Sequence, residues 1–114
     1  MYNVVFTTVF NEWLPKQSEE VFVEVGAAIE VLREYGYRLG RPHADTLKGS
    51  RYANMKELRV KTSNAEILVA FAFDPERQAV ILIAGDKRGV NERRFYRQLI
   101  AKADSLFEQY LESR

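Results

Sequence analysis

Two apolar runs limit what this 114-residue chain can fold into. Ile67–Phe73 reads ILVAFAF and Ala79–Ala84 reads AVILIA, and Asp74-Pro75-Glu76-Arg77 between them is a turn sequence of hairpin length. Nearly continuous apolar strands suit the middle of a sheet that is covered on both faces, or on one face and part of the other. A third strand, Met55–Lys61 (MKELRVK), alternates strictly. Lys56, Leu58 and Val60 point one way, and Met55, Glu57, Arg59 and Lys61 the other.

The rest of the chain is read around this sheet. Tyr2–Thr8 is β-branched and aromatic, which predicts a strand, and a short helical turn over Val9–Leu14 is cut off by Pro15. Ser18 is placed to cap a helix whose first turn holds Glu19 and Glu20, where the helix dipole favours acids. Val21, Val25, Ala28, Leu32 and Tyr35 form its apolar stripe, and Gly36 ends it. The polar stretch Arg41–Asn54 reads as a loop. From Asn91 to about Leu111 a last helix aligns Phe95, Leu99, Ile100, Ala103, Leu106, Phe107 and Tyr110 on one face. Consecutive strands with short connections pair antiparallel, so the expectation is one α+β domain over residues 1–114. Its twisted antiparallel sheet has helices covering one face.

A content of 46% hydrophobic and 29% charged residues is that of an ordinary globular protein. The chain has no cysteine, which excludes disulfides and thiolate metal sites and makes a reducing cytoplasm the expected setting. The single histidine, His43, cannot build a histidine metal cluster, and neither metal nor cofactor is expected. The N-terminus lacks the basic region of a signal peptide, and no stretch approaches the roughly 20 apolar residues of a membrane span.

A net charge of +1 conceals alternating blocks. Residues 35–65 hold seven bases against Asp45 and Glu57, and residues 87–102 hold six bases against Glu92. Acids predominate in the segments around them. Local basic patches mark a polyanion partner, although a mixed solvated surface gives the same count.

Four segments together carry a family resemblance: LGRPHADTLKGS (Leu39–Ser50), MKELRV (Met55–Val60), AFAFDPERQAVILIAGDK (Ala70–Lys87) and RRFYRQLIAKADSLFEQYL (Arg93–Leu111). In this order and at this spacing the chain resembles the HigB-type branch of the RelE/ParE toxins over almost its whole length. The resemblance implies a twisted antiparallel sheet with two N-terminal helices packed on it. It implies the toxin of a type II toxin–antitoxin pair, commonly an endoribonuclease that cuts messenger RNA on the ribosome. The implied partner is a helix-turn-helix, HigA-like antitoxin, through which alone the chain would meet operator DNA.

Cleavage of RNA without a metal needs a base for the 2′-hydroxyl, an acid for the leaving 5′-oxygen, and fixed cations for the phosphate. Arg59, in the ELR motif, is the first candidate, because a guanidinium grips phosphate bidentately; an exposed charge guarding a strand edge is the alternative. Glu57 is a candidate base, or else a structural ion-pair partner of Arg59. Lys48 sits beside Gly49, which lets backbone approach a phosphate, and Lys87 ends the last strand where the resemblance expects a basic residue. Tyr96 could stack on a nucleobase or donate a proton, though a helical aromatic is more often core. His43 has the side chain best suited to acid–base work, though a loop histidine is commonly bonded to backbone. Arg51, Lys56, Lys61, Arg88, Arg93 and Arg94 are candidates for RNA binding.

One departure stands out. Relatives of this type often begin the strand before AFDP with Arg, and this chain has Glu66 there. That removes a cation and adds a charge repulsive to phosphate. Two rival functions follow: a ParE-like inhibitor that binds DNA gyrase without catalysis, and an RNA-binding module that has lost its chemistry.

Overall fold

The computed structural model describes all residues, Met1–Arg114. Strand β1 is Val4–Phe6, and helix α1 is Thr8–Trp13, followed by a 3-10 turn at Leu14–Lys16. Helix α2 is Glu19–Tyr35 and ends in a second 3-10 turn, Gly36–Arg38. Strands β2 (Ala44–Thr46), β3 (Lys56–Lys61), β4 (Glu66–Phe73) and β5 (Ala79–Asp86) precede helix α3, Glu92–Glu112.

The helix ends follow their capping residues. Thr7 Oγ1 accepts from Phe10 N–H at 3.1 Å, Ser18 Oγ from Val21 N–H at 3.2 Å, and Asn91 Oδ1 from Arg94 N–H at 2.9 Å. Each side-chain oxygen satisfies a backbone donor that has no partner within its helix. Helix α2 stops at Gly36, where φ is +59° and a Cβ would run into the Tyr2 ring. Only glycine fits both the backbone and the space there.

The sheet runs β1-β5-β4-β3-β2, and three features differ from the expectation. First, β1 pairs with β5 in parallel, Val5 opposite Val80, so the sheet is mixed. The chain leaves β1 through both N-terminal helices and the other strands before β5 returns beside it. Second, the segment read as a loop contains β2, which pairs antiparallel with β3, Asp45 opposite Glu57. Three residues are too few to show a period, but Ala44 and Leu47 are buried and anchor it. Third, helices cover both faces. On one, Phe10, Val25, Ile29 and Leu32 of α1 and α2 pack on Leu58, Ile67, Val69, Phe71 and Ile81. On the other, Leu99, Ala103 and Phe107 of α3 pack on Met55, Leu68, Ala70, Val80 and Leu82. Every residue from Ile67 to Ala72 is buried, which the apolar runs require, and each fully buried large aliphatic contributes about 1.5–3 kcal/mol.

The α2 stripe keeps Val21, Val25 and Leu32, takes Ile29 in place of Ala28, and stops before Tyr35. Ile29 is buried, whereas Tyr35 is 52% exposed beyond the last turn that meets the sheet.

Candidate functional site

Register places the site. Across β2, β3, β4 and β5 on the α3 face run Asp45, Glu57, Ala70 and Ile83. The next row is Arg59, Leu68 and Gly85. The third is Lys61 and Glu66, which Lys87 joins by donating its N–H to the Glu66 carbonyl at 3.0 Å. The strict alternation of β3 therefore puts Glu57, Arg59 and Lys61 on the side that α3 covers. Helix α3 comes down close to the second row because Gly85 has no Cβ; one there would meet Phe95 Cε1 at 2.9 Å. Phe95 packed on Gly85 brings the next residue, Tyr96, over β3.

The centre is an ion-pair chain. Arg59 Nε donates to Glu57 Oε2 at 2.9 Å and Arg59 Nη2 to Asp45 Oδ2 at 3.2 Å. Asp45 Oδ2 also accepts from Arg41 Nε at 2.8 Å, and Asp45 Oδ1 from Thr46 N–H at 2.8 Å. The Thr46 amide first, then Arg41, holds the Asp45 carboxyl below its usual value. The hydrogen bond to Glu57 raises Arg59 further above an already high value, so its charge is permanent. Glu57 is 2% exposed, and its Oε1 has no hydrogen-bond partner. Burial first, and then the charge of Glu57, pushes the Tyr96 hydroxyl up to about 12. Tyr96 thus stands protonated beside a buried carboxylate oxygen, with no well-formed bond between them.

Glu57, Arg59, Lys48 and Tyr96 line one open depression of about 380 Å³, with Arg41, Asp45 and Glu92 at its rim. Lys61 and Lys87 line a second, and Arg59 is shared by both. Lys87 Nζ lies 3.4 Å from Glu92 Oε1 and 5.8 Å from the centre of the Tyr96 ring. The other residues singled out from sequence lie elsewhere. His43 is outside both depressions but borders the site: it lines a third against Ala27, Ala28 and Val31 of α2, which Arg59 and Lys61 also line, and its carbonyl accepts from Arg59 N–H at 2.9 Å. Arg51 pairs with Glu108 far along α3, at 3.0 Å. Lys56 lines a groove with Tyr37, Phe73 and Arg77. Arg88 Nη1 donates to the Ser63 carbonyl at 2.8 Å, at the β3–β4 turn. Arg93 and Arg94 are exposed on the first turn of α3. The two basic segments therefore meet only in part: Arg59 and Lys61 come together with Lys87 in one depression, and Lys48 joins Arg59 in the other.

Sequence reasoning passed over Asp45, Arg41 and Glu92. Asp45 carried a signal, an acid between the apolar Ala44 and Leu47 in a basic stretch. Glu92 carried none beyond its place after a helix cap.

The arrangement offers a fixed guanidinium with free N–H groups, three ammonium groups in the depressions it lines, a protonated tyrosine and a buried carboxylate. No three His, Asp or Glu side chains converge in a way that would hold a metal ion. No helix is long and apolar enough to cross a membrane.

Residues 12–108 match the family of phage-derived Gp49-like proteins. The chain is 46% identical over 102 residues to HigB2 of Mycobacterium tuberculosis (strain ATCC 25618 / H37Rv), a protein named as a toxin. That match covers 89% of the chain and 50% of HigB2, so the chain spans half the length of that relative. It is 39% identical over 110 residues to HigB3 of the same organism, also named as a toxin, with 96% of the chain and 94% of HigB3 covered.

Proposed function

The chain belongs to the Gp49-like, HigB branch of the RelE-like toxins, and from that premise we propose that it is the toxin of a toxin–antitoxin pair and cuts messenger RNA. The observation that carries the catalytic part is the buried Glu57 carboxylate, which fixes Arg59 with Oε2, leaves Oε1 without a hydrogen-bond partner, and lines the same depression as Tyr96. Guanidinium has five N–H donors. Two of Arg59's are committed to Glu57 and Asp45, so three remain to hold a phosphate on an exposed face.

The 2′-oxygen attacks the phosphorus in line, and the P–O5′ bond breaks to leave a 2′,3′-cyclic phosphate and a 5′-hydroxyl. The 2′-hydroxyl proton passes to Tyr96 Oη as the tyrosine's own proton moves to Glu57 Oε1, so Tyr96 never becomes a free phenolate. Lys48, in the same depression, gives a proton to the leaving 5′-oxygen. Arg59 and Lys87 offset the charge that grows on the phosphate. Messenger RNA on the ribosome is the substrate in this reading. A helix-turn-helix antitoxin silences the toxin by covering the basic ledge.

Induced expression tests it. Growth and translation should stop with fragmented transcripts, and Arg59→Ala should relieve both. Intact transcripts with falling DNA supercoiling would replace this reading with gyrase inhibition.

A further inference from the structure

At the end of the sheet nearest the site, Lys61, Glu66 and Lys87 stand side by side on the α3 face. With Arg59 and Pro42 they line a depression of about 250 Å³. Lys87 is engaged by Glu92, and Arg59 by Glu57 and Asp45. The half-buried Glu66 takes part in none of the ion pairs of the structure. Its bonds are those of its backbone: its N–H donates to Asp86 Oδ1 at 3.0 Å, and its carbonyl accepts from Lys87 N–H.

A free carboxylate among three cations opposes the binding of phosphate, so its use on this surface must be as an acceptor. The donors that a single RNA strand presents are its 2′-hydroxyls and the edges of its unstacked bases. Guanine alone carries two N–H donors side by side on its Watson–Crick edge, at N1 and N2, and these match the two oxygens of a carboxylate. Adenine and cytosine place an amino group beside an acceptor nitrogen. Uracil has one N–H between two carbonyls. A depression smaller than an ordinary small-molecule pocket has room for about one base.

We propose that Glu66 reads a guanine next to the phosphate held by Arg59, while Lys61 and Lys87 hold the backbone on either side of that base. The proposal rests on the ribonuclease reading above and adds a base preference to it.

The test is to induce the wild-type chain, Glu66→Gln and Glu66→Ala in cells and to map the new ends of the transcript fragments. Wild-type cuts should carry guanine at one fixed position beside the cut, in excess by on the order of tenfold. Both variants should still cut and should lose that excess, Gln because an amide replaces one acceptor oxygen with a donor. A wild-type profile without guanine excess overturns the proposal, as does an unchanged profile in variants that still cut. In those two cases the ribonuclease reading stands. Transcripts left whole by the wild type would end both.

Discussion

Arg59 Nε donates to Glu57 Oε2 at 2.9 Å, tying a guanidinium that is 43% exposed to a carboxylate that is only 3% exposed. The arginine is held from below and still faces solvent. The carboxylate gives up most of its hydration and leaves Oε1 without a partner. An unsatisfied buried polar atom costs about 1–3 kcal/mol, so this pair is poor at stabilising the fold and well placed for binding an anion. Glu57→Met fills the same space without the orphan oxygen. Arg59 keeps Asp45 and water, so Tm should rise by about 4 °C, while RNA cleavage falls by about tenfold or more. A thermal melt and a transcript-cleavage assay on the same protein check both signs. A drop in Tm would show that the pair stabilises the chain.

Arg59→Lys keeps the charge and loses the fork. One ammonium group cannot hold Glu57 and Asp45 in the present geometry and also present several donors to a phosphate. Toxicity on induction should fall nearly as far as in Arg59→Ala. Full toxicity with Lys would mean that the site needs only a positive charge at this position.

The loop that carries Lys48 is fastened to α3 at a distance from the chemistry. Asp104 accepts from Ser50 Oγ and, at 3.1 Å, from Arg51 N–H. Arg51, read from sequence as an RNA contact, pairs with Glu108 on the same helix at 3.0 Å. Asp104→Ala should leave the melting temperature almost unchanged, because the clasp is partly exposed, and should lower cleavage severalfold by loosening Lys48. Arg51→Ala should do the same more weakly. A loss of cleavage in Arg51→Ala as large as in Arg59→Ala would return Arg51 to the RNA-binding set.

The runs at Ile67–Phe73 and Ala79–Ala84 suit the middle of a sheet covered on both faces, or on one face and part of the other. The expectation has the helices on one face, and the structure puts α3 on the face opposite α1 and α2. Nothing local in a helix states which face of a sheet it meets; that is decided by the connection from β5. The alternation of MKELRVK gave the common side of Glu57, Arg59 and Lys61, because a period of two is a local property. Asp45 and the Glu57–Tyr96 contact were hidden, since they arise from β2 pairing and from the close approach of Phe95 to Gly85. Parallel pairing of β1 with β5 is a long-range event of the same kind.

A second buried acid, far from the site, sets the response of the fold to pH. Asp74 is 4% exposed; burial alone would raise its pKa. Tyr110 donates to Oδ2 at 2.7 Å and Gln78 Nε2 at 2.9 Å, while the N–H groups of Glu76 and Gln78 donate to Oδ1. Together they hold the carboxyl below 3.8. A depressed folded value means that this contribution is complete above about pH 3.8 and is lost as pH falls through the lower folded value. On the phenol, burial and then the hydrogen bond to Asp74 push Tyr110 up to about 12 from 10.0. That contribution is complete below pH 10 and is lost as pH rises through about 12. Tyr110→Phe should therefore lower stability by about 1 kcal/mol across neutral pH. It should also start acid unfolding at a higher pH and remove part of the alkaline loss, so the gap from wild type should close above pH 10. Melting temperatures of both proteins across pH test this directly, and curves that stay parallel from acid to alkali would show that the Tyr110–Asp74 bond carries none of the pH dependence.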